Sequence, residues 1–227
     1  MVLLANEKAI DLSFIPSLEC NIECPFCMYN AGPTNTDQLD FEKTKTFTKN
    51  INWNLINSIG FYGGEPSINM PLYQKFIDLI PSHISKFTIS NGTWSNSLDE
   101  TTNFFEFLMV NNLYLVISGT PYHKKHQNLM TLQILKNEFP DHIRLKDDDK
   151  IHPMGRASKI DWTCTKKCQT FDIPIRLGLF PNGNILFQNC DGVYPVVQTY
   201  LDSFSNIIER AGMTKYKCWN KLGELND

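Results

Sequence analysis

Cys20-Asn21-Ile22-Glu23-Cys24-Pro25-Phe26-Cys27 sets three thiols at spacings of four and three residues. On a helix those spacings would line three small apolar side chains along one face. Pro25 opposes that reading, since a proline inside a helix costs about 3 kcal/mol. A loop that folds three thiolates around one point fits the segment better. Such a loop can serve zinc, but a closed structural zinc site takes four ligands, so a distant Cys or His would have to complete it. It can equally serve a 4Fe–4S cluster, which also takes four ligands. Three protein thiolates leave one iron open, as cluster-based activation of a bound molecule requires. Spacing alone leaves iron–sulfur, zinc and core packing open.

The bulk properties favour metal over disulfides. The cysteine count, seven, is odd, which leaves a simple disulfide framework incomplete. The start, Met1-Val2-Leu3-Leu4-Ala5-Asn6-Glu7-Lys8, lacks the basic region and long apolar core of a signal peptide. A cytoplasmic location is expected, where disulfides are rare. A net charge of -3 gives no footprint for nucleic acid or an anionic membrane surface. No apolar run reaches the roughly 20 residues of a membrane span. Neither nucleic acid nor membrane is an expected partner.

The elements that must position the loop alternate along the chain. Strands are predicted at residues 10–16, 55–62, 86–90, 113–118 and 143–146. Helices are predicted at 41–51, 71–80, 98–111 and 129–139, the third with an apolar face of Phe104, Phe105, Leu108 and Met109. Such alternation implies a parallel sheet with right-handed crossovers and functional loops at the carboxyl ends of the strands. The pattern changes near residue 150. Residues 175–180 and 185–188, around Pro181-Asn182-Gly183-Asn184, read as a β-hairpin, and a helix is predicted at 201–211. We place a boundary near residue 160, giving regions 1–160 and 161–227. A full (β/α)8 barrel takes about 250 residues. The expected fold is therefore α/β, an incomplete TIM-type β/α barrel of about six parallel strands, followed by a small C-terminal region with a β-hairpin and a helix.

Cys-x3-Cys-x2-Cys after a first strand, with Phe26 just before the last cysteine, resembles the signature of the radical S-adenosylmethionine (SAM) superfamily. Gly63-Gly64-Glu65-Pro66 ends the second strand. By itself it is a glycine turn before a helix, or a place where backbone approaches a ligand beside an acceptor for an ammonium. It is similar to the family's Gly-Gly-Glu-Pro motif, which holds the SAM amino group. Ser90-Asn91-Gly92-Thr93 is a turn signal that, in register with the family, falls near the SAM ribose or carboxylate; Ser118 takes a similar place by position. Pro153-Met154-Gly155-Arg156-Ala157 resembles the family's Gly-Arg-Ala segment, whose backbone approaches the adenine; without the resemblance it is a loop with a surface arginine. The implied SAM-binding set is Phe26, Gly63, Gly64, Glu65, Pro66, Ser90, Asn91, Ser118 and Met154. The implied cluster ligands are Cys20, Cys24 and Cys27.

Cys164, Cys168, Cys190 and Cys218 form a second group. They read as scattered reduced thiols, some of them buried as small apolar side chains, or as four ligands for a zinc or a second 4Fe–4S cluster. A close pair, a hairpin ending in cysteine and a distant cysteine resemble the shortened auxiliary-cluster domain called Twitch, a truncated relative of SPASM.

The resemblance implies that a reduced cluster gives one electron to SAM. That releases methionine and a 5′-deoxyadenosyl radical, which takes a hydrogen atom from a substrate. It also implies an external one-electron donor such as flavodoxin or ferredoxin, and an auxiliary cluster able to accept the substrate-radical electron. No N-terminal peptide-recognition domain is evident, so a small-molecule or nucleotide-like substrate is expected over a peptide, and a peptide-modifying maturase is the alternative. A glycyl-radical activating enzyme would carry its extra cysteines soon after the first motif. A non-catalytic zinc or iron–sulfur interaction protein would have no use for Gly63–Pro66. Tyr122, His123, Lys124, Lys125 and His126 follow the fourth strand, either at the barrel mouth or, for the two lysines above all, as a solvated basic loop.

Overall fold

Six parallel strands form the spine of the computed structural model, which describes residues 10–146, 155–159, 175–189, 192–199 and 203–207. The strands are β1 (Ile10–Phe14), β2 (Ile56–Phe61), β3 (Ser85–Ser90), β4 (Leu113–Ser118), β5 (Ile143–Lys146), β6 (Ile175–Leu179), β7 (Asn184–Asn189) and β8 (Gly192–Thr199). Their order across the open sheet is β5-β4-β3-β2-β1-β6-β7-β8. All neighbours from β5 to β6 pair in parallel, and β7 and β8 continue antiparallel. This is the α/β class expected, with the parallel portion matching the incomplete barrel.

One strand has a role that periodicity did not give it. Ile175–Leu179 is the first arm of the expected hairpin, yet it is also the sixth parallel strand, in register with β1 from Ile10↔Ile175 to Phe14↔Leu179. Burial explains the pairing, since Leu177 and Leu179 are shut from solvent with Leu12 and Phe14. β8 was not expected at all. Its sequence, Gly-Val-Tyr-Pro-Val-Val-Gln-Thr, carries Pro195, which argues against a central strand. The edge position resolves this, because a residue without an N–H is tolerated there. Of the helix predicted at 201–211, residues 204–207 are described, as one helical turn.

The helices sit in the crossovers and start on side chains suited to it. They are α1 (Phe41–Thr48), α2 (Met70–Ile77), α3 (Leu98–Val110), α4 (Pro121–Lys124) and α5 (Leu129–Glu138). Asp40, Asn69, Ser97, Thr120 and Asn128 each accept a backbone N–H from the first turn of the helix they precede. Each such cap is worth about 1 kcal/mol. α1 and α2 end about three residues earlier than the apolar pattern suggested. In α3 the buried stripe is Thr101, Phe104 and Leu108, while Met109 is 40% exposed. The apolar run was thus wider than the face that packs.

Phe14, Phe61, Tyr73, Phe76, Trp94 and Phe104 anchor the core. Phe14 and Phe61 meet edge to face at 5.7 Å across β1 and β2, and Phe204 meets Phe47 of α1 at 6.2 Å. Among the described residues the Tyr73 hydroxyl is buried without a hydrogen-bond partner. Removing an unpaired buried hydroxyl relieves a desolvation cost of about 1–3 kcal/mol. Tyr73→Phe is therefore expected to keep or raise the denaturation midpoint. Phe104→Ala in the same core is expected to cost about 3–5 kcal/mol in urea unfolding.

Candidate cluster and cofactor site

Residues 15–40 join β1 to α1 and carry the three cysteines. The segment is folded upon itself rather than extended. Leu18 N–H donates to Asp37 O at 2.9 Å, Gly32 N–H to Leu18 O at 3.1 Å, Cys20 N–H to Gly32 O at 3.2 Å, and Leu39 N–H to Pro16 O at 2.9 Å. Cys20, Ile22, Cys24 and Ala31 form a small buried cluster of their own, lined by Phe26, Cys27, Tyr29 and Tyr122. Cys20 and Cys24 are buried and Cys27 is half-buried. Burial pushes the Cys20 thiol up to about 11. Burial, then repulsion from Cys27 and Cys20, pushes Cys24 up to about 12. Ionising these sulfurs requires positive charge beside them, which a metal centre provides. The donor set thus fits a thiolate-ligated centre. Among the described residues no group of three His, Cys, Asp or Glu side chains is placed to hold a single metal ion.

The carboxyl end of β2 is pressed against this loop. Gly64 N–H donates to Ser17 O at 2.7 Å and Glu65 N–H to Glu19 O at 2.9 Å. A Cβ on residue 64 would stand 1.9 Å from Glu19 O, so no side chain fits there. Glu65 is 2% exposed. Its Oε1 accepts from Ser67 N–H, from the Ser67 hydroxyl and from the Ser90 hydroxyl, and its Oε2 accepts from Asn91 N–H at 2.7 Å. Burial raises the Glu65 pKa, and these donors oppose the rise. The carboxylate expected to meet the SAM ammonium therefore also caps the turn Pro66–Ile68 and ties β2 to β3.

The end of β3 reaches the cysteines directly. Asn91 Nδ2 donates to Asn21 Oδ1 at 2.8 Å and lies 3.6 Å from Cys20 Sγ. Asn91 Oδ1 accepts from Thr93 N–H and Oγ1–H, and Asn21 Nδ2 donates to Thr93 Oγ1. Ser90 Oγ also accepts from Trp94 Nε1–H at 2.8 Å. Ser118 is joined to this group less directly. Its carbonyl accepts from Gln127 Nε2, which also donates to Asn91 O.

Two further segments close on the loop. Phe26 meets the rings of Tyr122 and His123 edge to face at 5.8 and 5.7 Å. His123 is 9% exposed, with Nε2 3.4 Å from Cys24 Sγ and Nδ1 2.8 Å from Thr120 Oγ1. Burial, then nearby His126, lowers its pKa to about 4, so the ring is neutral at physiological pH. His123 thus belongs to the cysteine site, not to a solvated loop. From the other side Gly155 lies against the Cys27 and Met28 carbonyls. Arg156 Nε donates to Cys24 O at 2.9 Å, Nη2 to Ala31 O at 2.5 Å, and Nη1 pairs with Glu23 Oε1 at 3.6 Å. Arg156 is not the surface arginine of the simpler reading; its guanidinium clasps the cysteine loop. Met154, Cys164, Cys168, Cys190 and Cys218 lie outside the described residues.

Cys20, Glu65, Ser90 and Asn91 are thus bonded into one network, with Cys24, Cys27, Phe26, Gly63, Gly64 and Pro66 around it. Asn21 and Thr120 were missed, and for His123 and Arg156, both singled out in the sequence, the contacts with the cysteine loop were not foreseen. Thr120-Pro121 is a helix start, cap then proline. Read as such, it marks a turn of helix carrying His123 instead of a basic loop. Arg156 lay in the Gly-Arg-Ala segment already singled out.

With this geometry in view, the comparisons with known proteins are specific. Residues 14–138 match the family described as 4Fe–4S single cluster domain. BtrN in complex with AdoMet and 2-DOIA is similar over 90% of this chain and 85% of that one, at 12% identity and a TM-score of 0.55. anSMEcpe with bound AdoMet and Cp18Cys peptide is similar over 93% of this chain and 84% of that one, at 12% identity and a TM-score of 0.51. No curated protein sequence matches. The chain belongs to the 4Fe–4S single cluster domain family and shares the fold of these two AdoMet-bound structures.

Arg156→Ala removes two charged hydrogen bonds to loop carbonyls. A loss of about 1.5–3 kcal/mol is expected in denaturant unfolding, with no recovery in Arg156→Lys because an ammonium cannot span both carbonyls.

Proposed function

We propose that this chain is a radical SAM enzyme that holds a 4Fe–4S cluster on Cys20, Cys24 and Cys27 and binds SAM on the strand ends beside it. Its reaction is removal of a hydrogen atom from a small-molecule or nucleotide-like substrate. One observation carries the reading: the cysteine loop, Gly63–Glu65 and Ser90–Asn91 are joined by direct hydrogen bonds at the carboxyl edge of one parallel sheet. When bound, the cluster supplies the electron that splits SAM into methionine and a 5′-deoxyadenosyl radical.

The chain's own residues bind and orient. Gly63, Gly64, Glu65 and Pro66 form the seat for the SAM amino group, with Glu65 holding that seat against β3. Phe26, Ser90, Asn91, Ser118 and Met154 complete the SAM site. The buried surroundings of Cys20 and Cys24 limit access of water. The electron arrives from an external donor such as flavodoxin or ferredoxin. Cys164, Cys168, Cys190 and Cys218, in the region 161–227, are assigned to an auxiliary 4Fe–4S cluster that takes up an electron during oxidation or bond formation. The support is their number, which equals a full ligand set.

A peptide substrate is the second reading, favoured by the similarity to anSMEcpe with its bound peptide. BtrN with 2-DOIA supports the first. At 12% identity neither likeness extends beyond the fold.

After anaerobic reconstitution about eight irons and eight sulfides per chain are expected, four for each cluster. A value near four removes the auxiliary cluster. With strong reductant, SAM should yield 5′-deoxyadenosine, and Cys24→Ala should abolish this. A fully loaded chain that leaves SAM intact contradicts the enzymatic reading.

A further inference from the structure

Each sulfur of the cysteine loop has a nitrogen within 3.6 Å, and the Ile22 backbone N–H also serves Cys20. Tyr29 N–H points to Cys27 Sγ at 3.4 Å, and Asn91 Nδ2 to Cys20 Sγ at 3.6 Å. The third neighbour is His123, whose Nε2 stands 3.4 Å from Cys24 Sγ. Tyr29 contributes backbone, and Asn91 is shared with Asn21 and Thr93. His123 has no part in the binding scheme above, and two aromatic rings hold its imidazole. Phe26 stands edge-on to it at 5.7 Å and Tyr122 at 6.1 Å.

Thr120 supplies a partner for the other ring nitrogen. Its Oγ1 accepts the His123 backbone N–H at 3.4 Å and lies 2.8 Å from Nδ1. A hydroxyl carries one proton and two acceptor lone pairs, so Thr120 can donate to Nδ1 while it accepts that N–H. The sulfur partner sets the tautomer: a thiolate only accepts, so the contact at Nε2 is a hydrogen bond when the proton sits there, and Nδ1 can then accept from Thr120. That proton then faces the sulfur of Cys24. A thiolate ligating a cluster has no proton of its own, so the contact becomes N–H···S⁻, a charge-assisted hydrogen bond.

We propose that His123, oriented by Thr120, donates from Nε2 to the Cys24 thiolate and raises the reduction potential of the cluster held by Cys20, Cys24 and Cys27. The inference rests on those three cysteines holding a cluster. One-electron reduction adds a negative charge that is shared over iron and sulfur. A hydrogen bond to a ligand sulfur stabilises the reduced state more than the oxidised one and shifts the potential upward. His123 is a positioning residue that acts through Cys24. It makes the cluster easier for a protein donor to reduce.

The test is an EPR-monitored redox titration, without SAM, of the anaerobically reconstituted full chain, its His123→Leu variant and its His123→Gln variant. Leu fills much of the space and donates nothing; Gln returns an N–H donor. Leu should load iron and sulfide like the parent and titrate at a more negative potential, and Gln should return toward the parent value. A His123→Leu variant that loads fully and titrates with the parent overturns the proposal. If Leu does not load, Gln decides: full loading at the parent potential supports the hydrogen bond, and failure to load or a shifted potential overturns it. An unmodified chain that takes up no 4Fe–4S cluster overturns the proposal together with the reading beneath it, and that failure is visible before any variant is compared.

Discussion

The parallel pairing of β1 with β2 does not stop where the strands stop. Tyr62 N–H still reaches Phe14 O, Gly64 N–H reaches Ser17 O, and Glu65 N–H reaches Glu19 O. The ladder of the core runs on into the cysteine loop, and the place of Cys20 follows from the register of two buried strands. This continuation is possible only where residue 64 has no side chain, because the Glu19 carbonyl occupies the position of a Cβ. A one-residue slip in β2 would turn its buried side chains outward and pull the loop away from Asn91. Core packing and site geometry are in this sense one constraint.

The charges around the loop follow from the same closeness. Glu65 and three thiols share a small, largely buried volume. Four hydrogen-bond donors satisfy the carboxylate, and burial with mutual repulsion holds Cys20 and Cys24 protonated when no cation is present. The compensating groups come from distant sequence. Arg156 brings a guanidinium to the loop carbonyls, and His123 brings a ring to Cys24. A loop of about 25 residues is thereby tied at several points along its length, which favours a site formed before its cofactors arrive.

Much of this was legible in the sequence. The alternation of apolar runs gave the five strands β1 to β5 and four of the five named helices, since each buries a face of fixed period. The cysteine spacing and Gly63–Pro66 gave the strand ends that matter. What stayed hidden was tertiary. Ile175–Leu179 looks like a hairpin arm because its neighbour in sequence is β7, and nothing local says that β1 lies on its other side. Pro195 disguised β8. Arg156 stood out through the Gly-Arg-Ala segment and His123 through its place after β4, but their partners stayed hidden because the Cys24 carbonyl and the Cys24 sulfur are 132 and 99 residues away.

The central claim is that three cysteines hold a cluster with an iron left for SAM. The EPR spectrum of the reduced, reconstituted chain tests it most directly when recorded before and after adding SAM. A 4Fe–4S signal whose line shape changes on addition is the expected result, because SAM binds at the open iron. A 4Fe–4S signal indifferent to SAM, or a chain purified anaerobically with zinc on these cysteines, would contradict it.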